Sequence, residues 1–429
     1  LLSQAREEED DVPTWVRDAI WWHVYPLGFT GASTTDPTPD GEPRLRRLLP
    51  WLDHVLELGA NGLLLGPVFA SATHGYDTLD HFRVDPRLGT DADLDDLLTA
   101  CRERGLRVLL DGVFNHVGRD HPAVREGSWL RRGADGRPAA FEGHDALVEL
   151  DHGEPAVADF VVDVMTHWLA RGIDGWRLDA AYAVPAQQWA PILDRVRERF
   201  PEAYLVGEVI HGDYAEFVRT SGVDSITQYE LWKAIWSSVV DRNFHELAWT
   251  LERHDDLLTR FVPQTFVGNH DVTRIASRIG DERHLVHALV VLFTTAGTPS
   301  VYAGDEHAFR GVKEDRAGGD DAVRPEFPLD PAQLSSLGLP TFHVHQELIG
   351  LRRRHRWLHD ARTRVVAVQN QRIAYETVSG EDRIVVLLDV SDDGGSLEVP
   401  GAGEVVAGSA RTTGSRVELP AHGWAVLAG

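Results

Sequence analysis

The feature that most constrains the fold is a repeated alternation of short β-type runs with helical patterns. Apolar runs at Ile20–Tyr25, Gly62–Leu65, Leu106–Val113, Trp176–Asp179, Ala203–Val206, Ile226–Tyr229, Thr265–Gly268 and Ser300–Ala303 read as eight strands. Between them lie stretches of helical period. Leu45–Leu58 places Leu45, Leu48, Leu49, Leu52, Val55 and Leu56 on one face, and Asp91–Arg104 repeats the pattern. Val157–Arg171 ends at Gly172, a residue suited to a left-handed helix cap, and Pro191–Phe200 continues the series. Antiparallel strands could be joined by tight turns, whereas parallel strands need long crossovers. Eight strands joined by helices therefore predict an α/β chain whose parallel sheet closes into a (β/α)8 TIM barrel, from about residue 12 to about residue 358.

Two stretches depart from that alternation. Residues 117–151, rich in Gly, Arg and Asp, are too long for a simple βα loop. They read as a subdomain inserted after strand three, dividing the barrel into residues 12–116 and 152–358. Residues 359–429 hold Val365–Val368, Ile373–Thr377, Ile384–Val390, Leu397–Val399, Val417–Leu419 and Trp424–Leu427, separated by turn residues. That pattern predicts a C-terminal antiparallel β-domain. Residues 1–11 end in an acidic run and read as a solvated, mobile arm.

Bulk properties exclude whole classes of partner. The 429 residues carry 42 basic and 67 acidic side chains, a net charge of −25, which repels nucleic acid and anionic membrane surfaces. No apolar run is long enough to span a bilayer, and the run His284–Ala296 reads as a buried helix. Cys101 is the single cysteine, so no internal disulfide forms, which favours a cytoplasmic location. A secreted protein with a removed leader remains the alternative.

Four of the apolar runs end in charge where they leave the barrel: Leu109–His116 (LLDGVFNH), Gly172–Asp179 (GIDGWRLD), Tyr204–Glu208 (YLVGE) and Phe266–Asp271 (FVGNHD). A strand end that meets solvent needs a turn or a cap. Any one of these acids alone would read as that. Four such exits in strand order instead place acids on one rim, where a barrel builds its active site. Arg177 lies two residues before Asp179, on the same side of the strand, and is expected to hold that carboxylate ionised as a nucleophile. Glu208 follows an apolar lead-in expected to raise its pKa, as a general acid requires. Two carboxylates under opposite pressures suit retaining hydrolysis of a glycosidic bond. Asp271, with His270, is then expected to grip sugar hydroxyls and support the transition-state charge.

These segments resemble the four signature regions of the α-amylase family of retaining α-glucan enzymes. Asp111–His116 matches the first, Gly175–Asp179 the second, Gly207-Glu208 the third and Asn269–Asp271 the fourth. Tyr76-Asp77, Val84–Pro86, Leu150-Asp151 and Tyr302–Glu306 extend the likeness over nearly the whole barrel. The resemblance implies Asp179 as nucleophile, Glu208 as acid/base and Asp271 as transition-state stabiliser. It also implies that Arg177, His116 and His270 bind the sugar, with Tyr76 stacked on its ring, and that Asp111 is a structural acid holding Arg177. Asp77, Phe114, Tyr182 and Arg324 join the expected substrate-binding set. No cofactor is required. Calcium enters as an option, held by Asn115 and an acid of the inserted subdomain such as Asp151 or Asp145, against a reading of Asn115 as a turn-stabilising amide.

One departure bears on specificity. Starch-cutting members carry Lys-His shortly after the nucleophile, where this chain has Ala180-Ala181-Tyr182-Ala183. Gly318–Pro325 is similar to a loop of oligosaccharide-acting members, the neopullulanases and cyclomaltodextrinases. The expected substrate is thus a short linear or cyclic malto-oligosaccharide, α-1,4-linked in preference to α-1,6, and a homodimer is compatible with this. Transfer to a sugar or isomerisation through the same intermediate is the alternative. A catalytically inactive binding protein on the same barrel is the remote one. Trp232 and Trp236, four apart, read as core packing of a helix, with a sugar platform as the other use.

Overall fold

A computed structural model describes residues 12–316 and 318–429, so the acidic segment 1–11 lies outside the described residues. Eight parallel strands form one sheet: β1 (Trp21–Val24), β2 (Gly62–Leu65), β3 (Arg107–Gly112), β4 (Gly175–Leu178), β5 (Tyr204–Gly207), β6 (Ser225–Ile226), β7 (Gln264–Phe266) and β8 (Thr298–Tyr302). Their order is β6-β5-β4-β3-β2-β1-β8-β7. A parallel bridge between Thr227 and Gln264 joins the two ends and closes the barrel. Every residue of β1, β2, β4 and β5 is buried. This burial on both faces is why these strands read as continuous apolar runs without alternation.

Most helices fall where the sequence places them, with two instructive differences. The pattern over Leu45–Leu58 is split into a 3-10 turn, Arg44–Leu48, and an α-helix, Trp51–Leu58. Pro50 stands at the break, where its missing N–H suits a helix start and not an interior. Conversely, Pro191 does not begin its helix but lies inside Ala186–Arg199. The helix Pro155–Arg171 ends as expected at Gly172, whose φ of 111° a side chain would resist. No helix of the described residues is long and apolar enough to cross a membrane.

Beyond β2, the strands Phe69–Ser71 and Thr78–Val84 form an antiparallel pair that the sequence reading missed. The inserted subdomain is anchored where His116–Gly118 pairs with Leu147–Glu149. At the C-terminus a five-stranded and a three-stranded antiparallel sheet account for the β-domain. Two of their strands, Glu404–Gly408 and Arg411–Thr413, were not recognised: the first buries only Ala407, and the second is exposed and has no apolar residue. The domain docks on the barrel helix Leu285–Thr294: His287 Nε2 meets the Asp389 carbonyl at 2.9 Å, and the Thr377 hydroxyl donates to the Thr294 carbonyl at 2.9 Å.

Candidate active site

Register brings the charged residues together. Asp111 on β3 pairs with Arg177 on β4, and Leu178 pairs with Gly207 of β5, so the following residues, Asp179 and Glu208, emerge side by side. The ladder continues one step past the strands. The Asp179 N–H donates to the Gly112 carbonyl at 3.0 Å and the Glu208 N–H to the Leu178 carbonyl at 2.9 Å. Both acids therefore stand on rigid backbone.

The Arg177 guanidinium binds three carboxylates. Nη1 donates to both oxygens of Asp111 at 2.6 Å and to Asp179 Oδ1 at 3.1 Å, while Nη2 lies 2.7 Å from Glu208 Oε1. Asp111 is fully buried, whereas Asp179 and Glu208 keep 7% of their surface exposed, enough to meet a ligand. Glu208 also accepts from the Ala180 N–H at 3.0 Å and the Tyr229 hydroxyl at 3.0 Å. Asn269 Nδ2 donates in turn to that hydroxyl at 2.9 Å. Tyr229, three residues past β6 at the start of the helix Tyr229–Val240, was not singled out from the sequence; its position at the same rim was the available signal.

A second group faces the first. Tyr76 reaches in from the turn between Phe69–Ser71 and Thr78–Val84, and its hydroxyl donates to Asp111 Oδ2 at 3.1 Å and meets His270 Nε2. The ring of His270 lies parallel to those of Tyr76 and Tyr25, with centroids 5.3 and 6.0 Å away. His116 is held by the Tyr76 carbonyl, 3.0 Å from its Nε2, and burial pushes its pKa down to about 4, so it is neutral at pH 7. Asp271 lies 2.9 Å from His270 Nε2 and accepts from Arg324 Nη2 at 2.6 Å. Arg324 Nε also donates to the His270 carbonyl at 2.9 Å.

The electrostatics separate two of the acids. Burial would raise Asp271, but His270 and Arg324 outweigh it and hold this carboxyl well below its usual range. Asp179 behaves in the opposite way to the sequence expectation. Burial, and then the charge of Glu208, raise it well above the usual carboxylate range despite the opposing pull of Arg177. Arg177 cannot hold Asp179 ionised alone because the same cation also serves Asp111 and Glu208.

Two expected substrate contacts are turned elsewhere. The Phe114 ring is fully buried between His81 and Trp176, where it packs the core and not the cleft. The Asp77 carboxylate, 2% exposed, closes its own turn by accepting from the Thr73 N–H at 3.0 Å and the Thr73 hydroxyl at 2.6 Å. Tyr182, by contrast, stays partly exposed beside Glu208, its N–H 3.3 Å from the Glu208 carbonyl. Trp232 and Trp236 pack edge to face, with Trp232 also stacked on Phe266.

Of the residues considered for calcium, Asn115 and Asp151 make local hydrogen bonds. The Asn115 side chain faces His116 Nδ1 at 3.2 Å, and its carbonyl accepts the Leu150 N–H. The Asp151 carboxylate accepts the Gly153 N–H at 2.9 Å, within its own turn. Calcium takes about six to eight oxygens. Among the described residues, the one cluster of His, Cys, Asp and Glu close enough to share a metal is His54, Glu306 and His307, which includes neither residue. No chemical step below passes through a metal.

A closed parallel barrel with acids gathered at the C-terminal ends of its strands is the arrangement of a barrel hydrolase. The alpha amylase catalytic domain family matches residues 24–131 and 141–329, so the chain belongs to the α-amylase family of glycoside hydrolases. It is 29% identical to a cyclomaltodextrinase of a Bacillus species over 90% of this chain and 75% of that one. Neopullulanase 2 of Thermoactinomyces vulgaris is 27% identical, over 91% and 74% respectively. The cyclic α-maltosyl-(1→6)-maltose hydrolase of Arthrobacter globiformis superposes with a TM-score of 0.82 at 25% identity, covering 97% of this chain and 99% of that one.

Proposed function

We propose that this chain hydrolyses α-glucosidic bonds of short linear or cyclic malto-oligosaccharides with retention of configuration. The observation that carries the reading is the single Arg177 guanidinium bonded to both Asp179 and Glu208. Sharing one cation keeps the two carboxylates side by side. Two carboxylates held beside each other are what the nucleophile and the acid/base of a retaining enzyme require. Names of similar proteins, a cyclomaltodextrinase and a hydrolase of cyclic maltosyl-maltose, support the substrate class.

In the first step Glu208 carries the proton, which removes the charge that raises Asp179, and the Asp179 carboxylate attacks the anomeric carbon while Glu208 gives that proton to the departing glycosidic oxygen. A glycosyl ester of Asp179 forms. In the second step the Glu208 carboxylate takes a proton from water, whose oxygen attacks the same carbon and releases Asp179. Asp271, kept ionised by His270 and Arg324, faces the positive charge that develops on the sugar ring in both steps. Tyr229 and the Ala180 N–H orient Glu208, and Asp111 orients Arg177.

The test is product analysis by NMR on maltotriose, panose, a cyclodextrin and pullulan. Release of reducing ends that first appear in the α configuration supports the reading. Initial release of β anomers, or no release from any of these glucans, overturns it.

A further inference from the structure

A second buried group of titratable side chains lies between the barrel wall and its helices. On β1, His23 packs on His270 in the cleft, with ring centroids 5.1 Å apart, so its neighbour Trp22 faces the other way. Trp22 Nε1 donates to Glu306 Oε1 at 3.2 Å, and the Gly304 N–H donates to Oε2 at 2.8 Å. Glu306 and His307 stand on the turn Asp305–His307 that follows β8, and His54 reaches them from the helix Trp51–Leu58. One nitrogen of each histidine and one oxygen of Glu306 all lie within 4.8 Å of one another. His54 Nε2 is already 3.1 Å from Glu306 Oε1, close to the ~3.3 Å that separates two ligands of a tetrahedral zinc ion.

What Glu306 lacks is a permanent cation. Asp85, Asp111, Asp305, Glu376 and Asp389, the other described carboxylates at 1% exposure or less, each pair with an arginine. Glu306 is fully buried, and its one ion-pair partner among the described residues is His54. A buried carboxylate without a cation is costly. A further imidazole stands nearby. His345, fully buried on the helix Leu339–Arg354, has its Nδ1 2.9 Å from the Thr341 carbonyl. A carbonyl only accepts, so the proton sits on Nδ1 and a neutral ring keeps its lone pair on Nε2. That Nε2 is buried with no partner, and the charges of Glu306 and His307 both act on the ring. Metal-binding histidines are oriented in this way, the other nitrogen donating to a backbone carbonyl.

We propose that His54, Glu306 and His307 bind one zinc ion and that His345 supplies its fourth ligand. Three imidazoles and a carboxylate suit zinc, whereas calcium and magnesium take oxygen donors. The ion gives Glu306 the charge it lacks. It also fastens the helices Trp51–Leu58 and Leu339–Arg354 to the turn after β8, a structural role separate from glucan cleavage.

The experiment titrates zinc chloride into the full chain, prepared without a histidine tag and stripped of metal with EDTA, in competition with a chromophoric chelator. One equivalent should bind with a Kd of ~1 μM or tighter and raise the thermal midpoint. His54→Gln keeps a group able to hydrogen-bond Glu306, and His307→Phe and His345→Phe keep a ring. Each should weaken zinc binding at least ~10-fold. Cobalt in place of zinc should give the parent the intense visible absorption of a four-coordinate ion, a signature that holds even if a variant does not fold. Zinc binding by the parent weaker than ~10 μM, or equal in parent, His54→Gln and His307→Phe, overturns the site and leaves only adventitious capture by the chain's 21 histidines. A six-coordinate cobalt spectrum, or undiminished binding in His345→Phe, overturns the four-ligand set. Neither readout uses glucan cleavage, so the result stands apart from the proposed activity.

Discussion

Arg177 and Glu208 are joined by a 2.7 Å contact between Nη2 and Oε1, while the other arm of the same guanidinium is held by Asp111 and Asp179. One cation thus spans three strands, β3 to β5, and sets the mutual position of two acids that lie 29 residues apart in the chain. Rigid placement of this kind is what a two-carboxylate mechanism requires, since proton donor and nucleophile must act on one bond at once.

Replacing either acid should therefore remove turnover without unfolding the barrel. Glu208→Gln should lower kcat on maltotriose by ~10²–10⁴-fold, the usual worth of general acid–base catalysis. It should cost less on a nitrophenyl maltoside, whose leaving group departs without a proton. Asp179→Asn should reduce both substrates by ~10⁴-fold or more. Steady-state kinetics on the two substrates check this; a Glu208→Gln enzyme equally impaired on both would contradict the assigned role.

The pH profile should report the charge of Glu208 on its neighbour. Asp179 is raised first by burial and then by that charge. Removing the charge in Glu208→Gln should let Asp179 ionise at lower pH. The acid limb of kcat/KM for the nitrophenyl substrate should then move to lower pH than in the parent. A limb that stays in place, or moves upward, would show that another group governs it.

Asp111 is fully buried, and its two oxygens are both engaged by Arg177. Asp111→Asn should leave the guanidinium short of one negative partner in a dry site. Breaking a buried pair in this way costs about 3–5 kcal/mol, and the amide should place the loss at the lower end. Urea unfolding of parent and variant measures it; a change below about 1 kcal/mol would mean that Asp179 and Glu208 suffice for Arg177.

Asp305 offers a stability test away from the acids of the cleft. Burial pushes its carboxyl up to about 7, with Arg274 at 2.8 Å pulling the other way. A carboxyl raised on folding holds its proton in the native state after the unfolded chain has lost its own, near pH 4. Stability must then fall as pH rises from about 4 to about 7 and level off above. Asp305→Asn removes this group's contribution. Parent stability relative to the variant should decline across that window, measured by denaturant unfolding at several pH values. A difference independent of pH would show that Asp305 is ionised throughout.

Much of the fold was legible because burial leaves a local trace. The strands β1, β2, β4 and β5 are buried throughout and, apart from His23 and Arg177, apolar, because both faces are covered, and Gly172 ends its helix because a left-handed residue was needed there. Strands with no buried face left no such trace, which is why Arg411–Thr413 escaped notice. Phe114 shows the converse error. It sits between Val113 and Asn115 at a strand exit, so its sequence position points to the cleft, yet its ring turns into the core beside Trp176. Position along a strand gives the end of the barrel; side-chain direction beyond the last paired residue is set by packing.

The amino-acid sequence by itself determined the barrel, its β-domain and the identity of the rim acids, because these follow from hydrophobic periodicity and from short motifs on single strands. Tertiary structure alone decided how those acids share charge. Burial and the neighbouring charge of Glu208 raise Asp179 against the pull of Arg177, where a local reading of Arg177 and Asp179 predicted the opposite. It also decided that Glu142 meets Tyr182 across the cleft. Both depend on groups distant in the chain brought within a few ångströms. Electrostatic and hydrogen-bonding energies follow separation in space, which no local pattern of residues records.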